Sequence, residues 1–407
     1  MNNFKLVKYK KKISFKRVVE KIDEGLNKQY KFAIIIPACG EFDNVGKTLN
    51  SLSENDSSYL RDTVIILVIN NPVSESDLLY FNDNQLLLAK LRNRSYQNKY
   101  DLNQLNLMWI DASSVNNELP GKGGVGMARK LGMDSALKII NWHNDPLLIS
   151  LDADTIVENN YLKTILEYFN SHKTITGATV EFNHQNADSE AEELAIREYE
   201  YLIRYFSEKL KKAGSPYAYK SIGSAIVCRA ESYVKVGGMK LHRGGEDFYF
   251  MQALRKLGEI GEIVNTTVYP SARISSRVPF GTGPRIQQCL NGKKIQLYNP
   301  KIFDVLKDTL INIKTWIYSE SVTDTSKILD MLLPEANTFF IGLDFSKQWS
   351  KIFKNNSKNR DKLTNDDKVR LLSAFHVWFD AFRTLKFIHY LERNYPEKYP
   401  KVDIDNK

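Results

Sequence analysis

Cysteine is scarce in this chain: Cys39, Cys228 and Cys289 are the three among 407 residues, widely separated and without a Cys-x-x-Cys pair. That spacing excludes a disulfide framework and a cysteine-based structural zinc site, and it fits a reducing cytosol. No apolar run approaches the roughly 20 residues that cross a bilayer. The first 30 residues also lack the apolar segment of a secretion signal. A cytoplasmic protein is therefore expected. Low-complexity tracts and internal repeats are missing too, which excludes repeat arrays and confines expected disorder to the ends. No base-reading motif is present, and the basic residues form no stripe with aromatic platforms, so nucleic acid is not an expected partner.

What is there is a globular composition on a long chain. Hydrophobic residues make up 43% and charged residues 26%, the balance of a protein that buries a core. A single core rarely outgrows roughly 250 to 300 residues, so two lobes are expected. Lysine and arginine number 57 against 48 acidic residues, a net charge of +9 that favours anionic ligands such as nucleotide diphosphates or acidic lipid. Residues 1–30 form a basic extension, with Lys5, Lys8, Lys10, Lys11, Lys12, Lys16 and Arg17 interleaved with Phe4, Tyr9 and Phe15. A solvated basic helix is expected there; peripheral contact with the inner face of an anionic membrane is the alternative.

From residue 32 to 182, short β-branched runs alternate with helical patterns. Strands are expected at Phe32–Pro37, Thr63–Asn70, Leu105–Asp111, Pro146–Asp152 and Thr174–Phe182, with helices at Asn44–Ser53, Glu75–Arg92, Gly124–Ile140 and Tyr161–Phe169. Such alternation predicts an α/β fold with a mainly parallel sheet covered by helices on both faces. In an open parallel sheet, ligands bind beyond the carboxyl ends of the strands. A polar helix Ser189–Lys212, a strand Ser221–Cys228 and a helix Glu246–Leu257 follow. Beyond about Arg285 the pattern becomes helical, with Leu371, Phe375, Trp378, Phe382 and Leu385 recurring at helical spacing along Asp367–Arg393. That stripe reads as core.

Asp152 and Asp154 end the apolar run Pro-Leu-Leu-Ile-Ser-Leu-Asp-Ala-Asp-Thr. Along an extended backbone, side chains two residues apart point the same way, so both carboxylates can face one ion while Ala153 points elsewhere. Hard oxygen ligands suit Mg2+ or Mn2+. Magnesium is usually held by one or two carboxylates, with phosphate oxygens and water completing its shell, which implies a phosphate-bearing substrate. The plainer alternative is a turn, or a cap for the helix that follows.

Three further segments accompany the acid pair. Residues 34–41 read Ile-Ile-Ile-Pro-Ala-Cys-Gly-Glu, residues 120–134 read Pro-Gly-Lys-Gly-Gly-Val-Gly-Met-Ala-Arg-Lys-Leu-Gly-Met-Asp, and residues 244–258 read Gly-Gly-Glu-Asp-Phe-Tyr-Phe-Met-Gln-Ala-Leu-Arg-Lys-Leu-Gly. In this order the four segments resemble the family 2 glycosyltransferases of the GT-A fold, over about residues 30 to 270. The Glu-Asp segment with its Leu-Arg-Lys-Leu-Gly tail is the most specific. The resemblance implies a GT-A type, Rossmann-like mixed and mainly parallel sheet. It also implies a nucleotide-sugar-binding catalytic domain over 31–289, with 290–407 as a helical accessory region. The implied activity is hexosyl transfer with inversion, from a UDP- or GDP-sugar held with Mn2+ or Mg2+ to a hydroxyl acceptor that is a glycan, a lipid-linked or a small molecule.

By the same resemblance, Pro37, Ala38 and Glu41 line the nucleotide pocket, and Asp111 sits at a base or ribose contact. Asp152 touches the donor and, with Asp154, the metal. Asn70 and Asn71 stand where the family often has acidic residues near the base or ribose. This departure removes charge and leaves the nucleotide open, although an amide still offers donors and acceptors to a base edge. Lys122, in a Gly-rich loop at a helix start, and Arg129, two turns further on, suit a diphosphate. The loop is no Walker motif, because Gly-Gly follows its Gly-Lys.

Glu246 and Asp247 begin a helix, where the dipole favours ionised carboxylates. In inverting members an acidic residue of this motif takes the acceptor's proton, so Asp247 is the expected base and Glu246 the alternative. Arg273, Arg277 and Arg285, among Pro279, Gly281, Gly283 and Pro284, form a stiff cationic loop that either closes over the diphosphate or connects to the accessory region. His242 is a metal or acceptor contact, or merely structural. Three other functions stay open. A retaining transferase would share Asp152 and Asp154 without needing Asp247 as a base. A sugar-phosphate nucleotidyltransferase would want a Gly-rich loop after the first strand, which is missing. The third is a non-catalytic nucleotide-sugar binder.

Overall fold

The computed structural model describes residues 6–9, 20–21, 29–71, 78–120, 124–241, 244–273, 281–357 and 363–404. The chain forms two compact units, one of Met1–Ile196 with Ser221–Leu290 and the other of Arg197–Lys220 with Asn291–Lys407. The expected span 31–289 is therefore interrupted: Arg197–Lys220 belongs with the helical unit. The reason is its apolar face, since Tyr205, Leu210 and Ala213 are buried in one cluster with Phe303, Leu306 and Trp316.

Nine strands of the first unit make one sheet: β1 (Glu20–Lys21), β2 (Phe32–Ala38), β3 (Thr63–Asn70), β4 (Asn106–Ala112), β5 (Leu147–Ser150), β6 (Ile156–Val157), β7 (Gly177–Phe182), β8 (Ile226–Arg229) and β9 (Ile260–Tyr269). Their spatial order is β1-β4-β3-β2-β5-β8-β7-β9-β6. The ladders β2–β3, β3–β4, β2–β5 and β7–β9 are parallel. Those of β1–β4, β5–β8, β6–β9 and β7–β8 are antiparallel and span only two to four residue pairs. This is the expected α/β class with a mixed, mainly parallel sheet. Every residue of β2 and β3 is buried, as continuous runs such as Ile34-Ile35-Ile36 require when both faces are covered. Because β2 to β5 run parallel, Ala38, Asn70, Ala112 and Ser150 end along one edge.

Two elements differ from expectation. The stretch Ser221–Cys228 is not one strand: a 3-10 turn at Gly223–Ala225 precedes β8. The ten-residue β9 has no counterpart in the expected strands, because Gly261, Glu262 and Asn265 interrupt its apolar residues; Ile263 and Val268 are nonetheless buried. In the basic extension, Lys8 is exposed, but Leu6 and Tyr9 are buried. The Tyr9 hydroxyl donates to Asp134 at 2.8 Å, so this piece packs rather than standing free as a solvated helix. The other basic and aromatic residues named there lie outside the described residues.

The helical unit is built on aromatics. The Trp316 and Trp349 rings lie 4.8 Å apart, and Phe340 stacks on Phe379 at 5.4 Å. The expected helix Asp367–Arg393 is two helices, Asn365–Trp378 and Ala381–Asn394. Thr364 and Asp367 form a capping box for the first. Asp380 accepts from the Arg383 N–H at 3.1 Å and starts the second, the ordinary work of an aspartate N-cap. Among the described residues no helix is long and apolar enough to cross a membrane.

Candidate active site

The acid pair lies on the edge where the parallel strands end. Strand β5 stops at Ser150, and the Thr155 N–H closes a turn onto the Asp152 carbonyl at 3.2 Å. Strand alternation therefore does not extend to Asp154, and the two carboxylates take different partners. Asp152 accepts from Arg129 Nη2 at 2.5 Å, and Asp154 accepts from Arg273 Nε at 3.0 Å and Nη2 at 2.9 Å. The turn is held from outside: Thr48 Oγ1 donates to the Ala153 carbonyl at 2.8 Å, and Gln185 Nε2 donates to the Asp154 carbonyl at 2.8 Å.

Arg129 projects from the helix Gly124–Ala136 and is buried. Its Nη1 donates to Glu246 Oε1, so one guanidinium joins the strand edge to the first turn of the helix Glu246–Leu257. Space for it is left by glycine. A Cβ on Gly223 would lie 2.7 Å from the guanidinium carbon, and one on Gly126 would lie 2.7 Å from Glu246 Cγ. Burial alone would lower the affinity of Arg129 for its proton, but Asp152, Glu246 and Asp247 outweigh it and keep the group charged.

Asp247, next to Glu246, has no arginine at ion-pair distance among the described residues; its Oδ1 accepts from the Phe248 N–H at 2.7 Å. Burial first, and then the charges of Glu246 and Asp152, push its pKa up to about 6 against the opposing pull of Arg129 and that N–H.

The remaining expected residues are distributed along the rim. Pro37 and Ala38 end β2, buried. Glu41 is buried, with Oε2 accepting from Asn44 Nδ2 at 2.7 Å and Oε1 accepting from Arg273 Nη2. Asn70 and Asn71 are buried at the end of β3, and Asn70 Oδ1 has no partner among the described residues. An orphaned buried amide oxygen is costly unless a ligand or water meets it. Asp111 accepts from the Ser113 and Ser114 N–H groups at 3.1 and 2.8 Å, and from Arg92 at 3.1 Å. Burial opposes its charge, but these donors hold its pKa below the usual range. Lys122, His242 and Arg277 lie outside the described residues. Arg285 is no loop residue; it stands in the first turn of the helix Thr282–Leu290, beside Gln288.

The structure thus brings Arg129, Asp152 and Glu246 into one ionic group, with Asp247 next to Glu246, and Arg273, Glu41 and Asp154 into another. Sequence reasoning named these residues but not their pairing, and it missed Gly223, Gly126, Thr48 and Gln185. Nothing in the spacing of Arg129 and Glu246 betrays their contact. The donor set fits a divalent cation in a limited way. Among the described residues no three His, Cys, Asp or Glu side chains form a group that could hold a metal. Asp152 and Asp154, with side chains 32% and 20% exposed, instead match a cation completed by phosphate and water. Among the described residues, Arg129 and Arg273 are the guanidiniums paired with the carboxylates of this cluster.

No family model and no curated protein matches the chain. Several solved structures are similar at low identity. S. aureus TarS 1–349 has a TM-score of 0.39 and 11% identity, covering 89% of this chain and 91% of that one. The same fragment in complex with UDP-GlcNAc has a TM-score of 0.42 and 10% identity, covering 86% and 91%. Glucosyl-3-phosphoglycerate synthase from Mycobacterium tuberculosis in complex with UDP has a TM-score of 0.33 and 11% identity, covering 58% and 70%.

Proposed function

We propose that the chain is a metal-dependent glycosyltransferase that moves a sugar from a nucleoside-diphosphate sugar to an acceptor hydroxyl with inversion. The observation that carries this reading is the sharing of one buried guanidinium by Asp152 and Glu246, which draws the strand-edge acid and the Glu-Asp helix into a single site with Asp247 beside it. In the proposed reaction the acceptor oxygen attacks the anomeric carbon. Its proton passes to Asp247, and the bond to the diphosphate breaks with its electron pair leaving on the diphosphate. Pro37, Ala38, Glu41, Asn70, Asn71 and Asp111 face the nucleotide, the orphaned Asn70 oxygen being suited to a base or ribose donor. Arg129 orients Asp152 and Glu246. Mn2+ or Mg2+, held through Asp152 and Asp154, would offset the charge of the leaving diphosphate.

The test is release of UDP or GDP from sugar nucleotides with Mn2+ across a panel of hydroxyl acceptors, with the anomeric configuration of the product read by NMR. Asp247→Asn should lower turnover by about 10²- to 10⁴-fold, the usual contribution of a general base. Equal turnover in that variant removes Asp247 from the role. Retention at the anomeric carbon removes inversion.

A further inference from the structure

Among the described residues two arginines serve the acid cluster, and their surroundings differ. Arg129 has a side chain only 6% exposed, tied at both ends and boxed by Gly223, so it has nowhere to go. Arg273, just beyond β9, has a side chain 33% exposed and pairs with Glu41 and Asp154. The pair with Asp154, partly exposed on both sides, is the weaker hold, whereas Glu41 is buried. The planar fork that fits a carboxylate fits a phosphate equally well. A diphosphate entering this acidic rim would find such a donor in Arg273, while Arg129 is committed to Asp152 and Glu246.

We propose that Arg273 is a phosphate-binding residue that keeps its hold on buried Glu41 and exchanges Asp154 for the donor's diphosphate when a divalent cation replaces it beside Asp154. This rests on the donor-site reading above. A cation arriving alone must compete with the guanidinium for Asp154. A cation arriving with a diphosphate gives both the carboxylate and the arginine a new partner. The two ligands should therefore bind cooperatively, by differential affinity for the two placements of one side chain.

The experiment measures Mn2+ alone by electron paramagnetic resonance and UDP in saturating Mn2+ by calorimetry, on the full chain, Arg273→Gln and Arg273→Lys. Arg273→Gln should bind Mn2+ alone about two- to fivefold more tightly, because a weak internal competitor is gone. It should bind UDP about ten- to a hundredfold more weakly, the loss of a charged hydrogen bond. Arg273→Lys should fall between for UDP, having charge but no fork. Changes in the same direction, or no change in either constant, overturn the proposal. If the unaltered chain binds neither UDP nor GDP, the donor-site reading itself fails. If it binds UDP and Arg273→Gln binds it equally well, that reading survives and the role of Arg273 does not.

Discussion

The rim of the sheet unit and the core of the helical unit handle burial in opposite ways. At the rim, Glu41, Arg129 and Glu246 are 5 to 6% exposed and charged. In the helical core the largest fully buried side chains are Trp316, Trp349, Phe340 and Phe345. Burying ions stabilises a fold little, because desolvation offsets most of their attraction, whereas buried aromatic area stabilises directly. The rim is therefore a place where stability is forgone to keep charges in fixed positions. In the proposed function, charge at that edge serves a ligand, while the aromatic core serves the fold.

The contrast can be broken from either side. Arg129→Gln should do most harm, because it leaves Glu246 buried without a cation and takes the partner from half-buried Asp152. Removing one partner of a buried pair costs about 3 to 5 kcal/mol, and turnover should fall with it, since the two acids lose their orientation. Urea denaturation alongside nucleotide release would show both losses. Adding Glu246→Gln should recover stability without recovering turnover. Recovery of both would mean that the bridge only supports the fold. In the helical core, Trp316→Ala should cost about 3 to 5 kcal/mol of stability and nothing in nucleotide affinity per folded molecule. If UDP binding by the folded fraction fell as far as in Arg129→Gln, the separation of roles would be wrong.

Much of the sheet was legible because its signals are local. Continuous apolar runs mark β2 and β3, and the edge they share follows from their parallel pairing. Strand β9 was not legible, since Gly261, Glu262 and Asn265 dilute its period while its pairing with β7 supplies the stability. The break at Phe379 was visible only as Asp380, a cap signal easily overridden by the continuing aromatic spacing. At the site, residue types were readable and partnerships were not. Asp152 and Asp154 look like a strand-end pair in sequence, yet a single turn hydrogen bond from Thr155 directs them to different arginines. Gly223 carries no signal of its own; its meaning is the guanidinium that packs where a Cβ would be.

The finest comparison lies within the rim, between Glu246, which has a guanidinium, and Asp247, which has none at ion-pair distance among the described residues. The pKa of Asp247 is raised from its ordinary 3.8 to about 6, first by burial and then by Glu246. For a carboxyl group raised in the folded state, the neutral form is the favoured one. Its stabilising contribution is complete below about pH 4 and is lost as pH rises through 6. A general base needs the opposite form, so turnover should rise about tenfold per pH unit up to 6 and level off above it. Activity and this group's share of stability should thus run in opposite directions over the same interval. Asp247→Asn should remove both slopes together, leaving a residual rate that does not change between pH 5 and 7 and a melting temperature above that of the unaltered chain at pH 7. A turnover profile that levels off near pH 4 instead would show that Asp247 ionises as an ordinary exposed aspartate, and that the desolvation and the neighbouring Glu246 charge have no part in the chemistry.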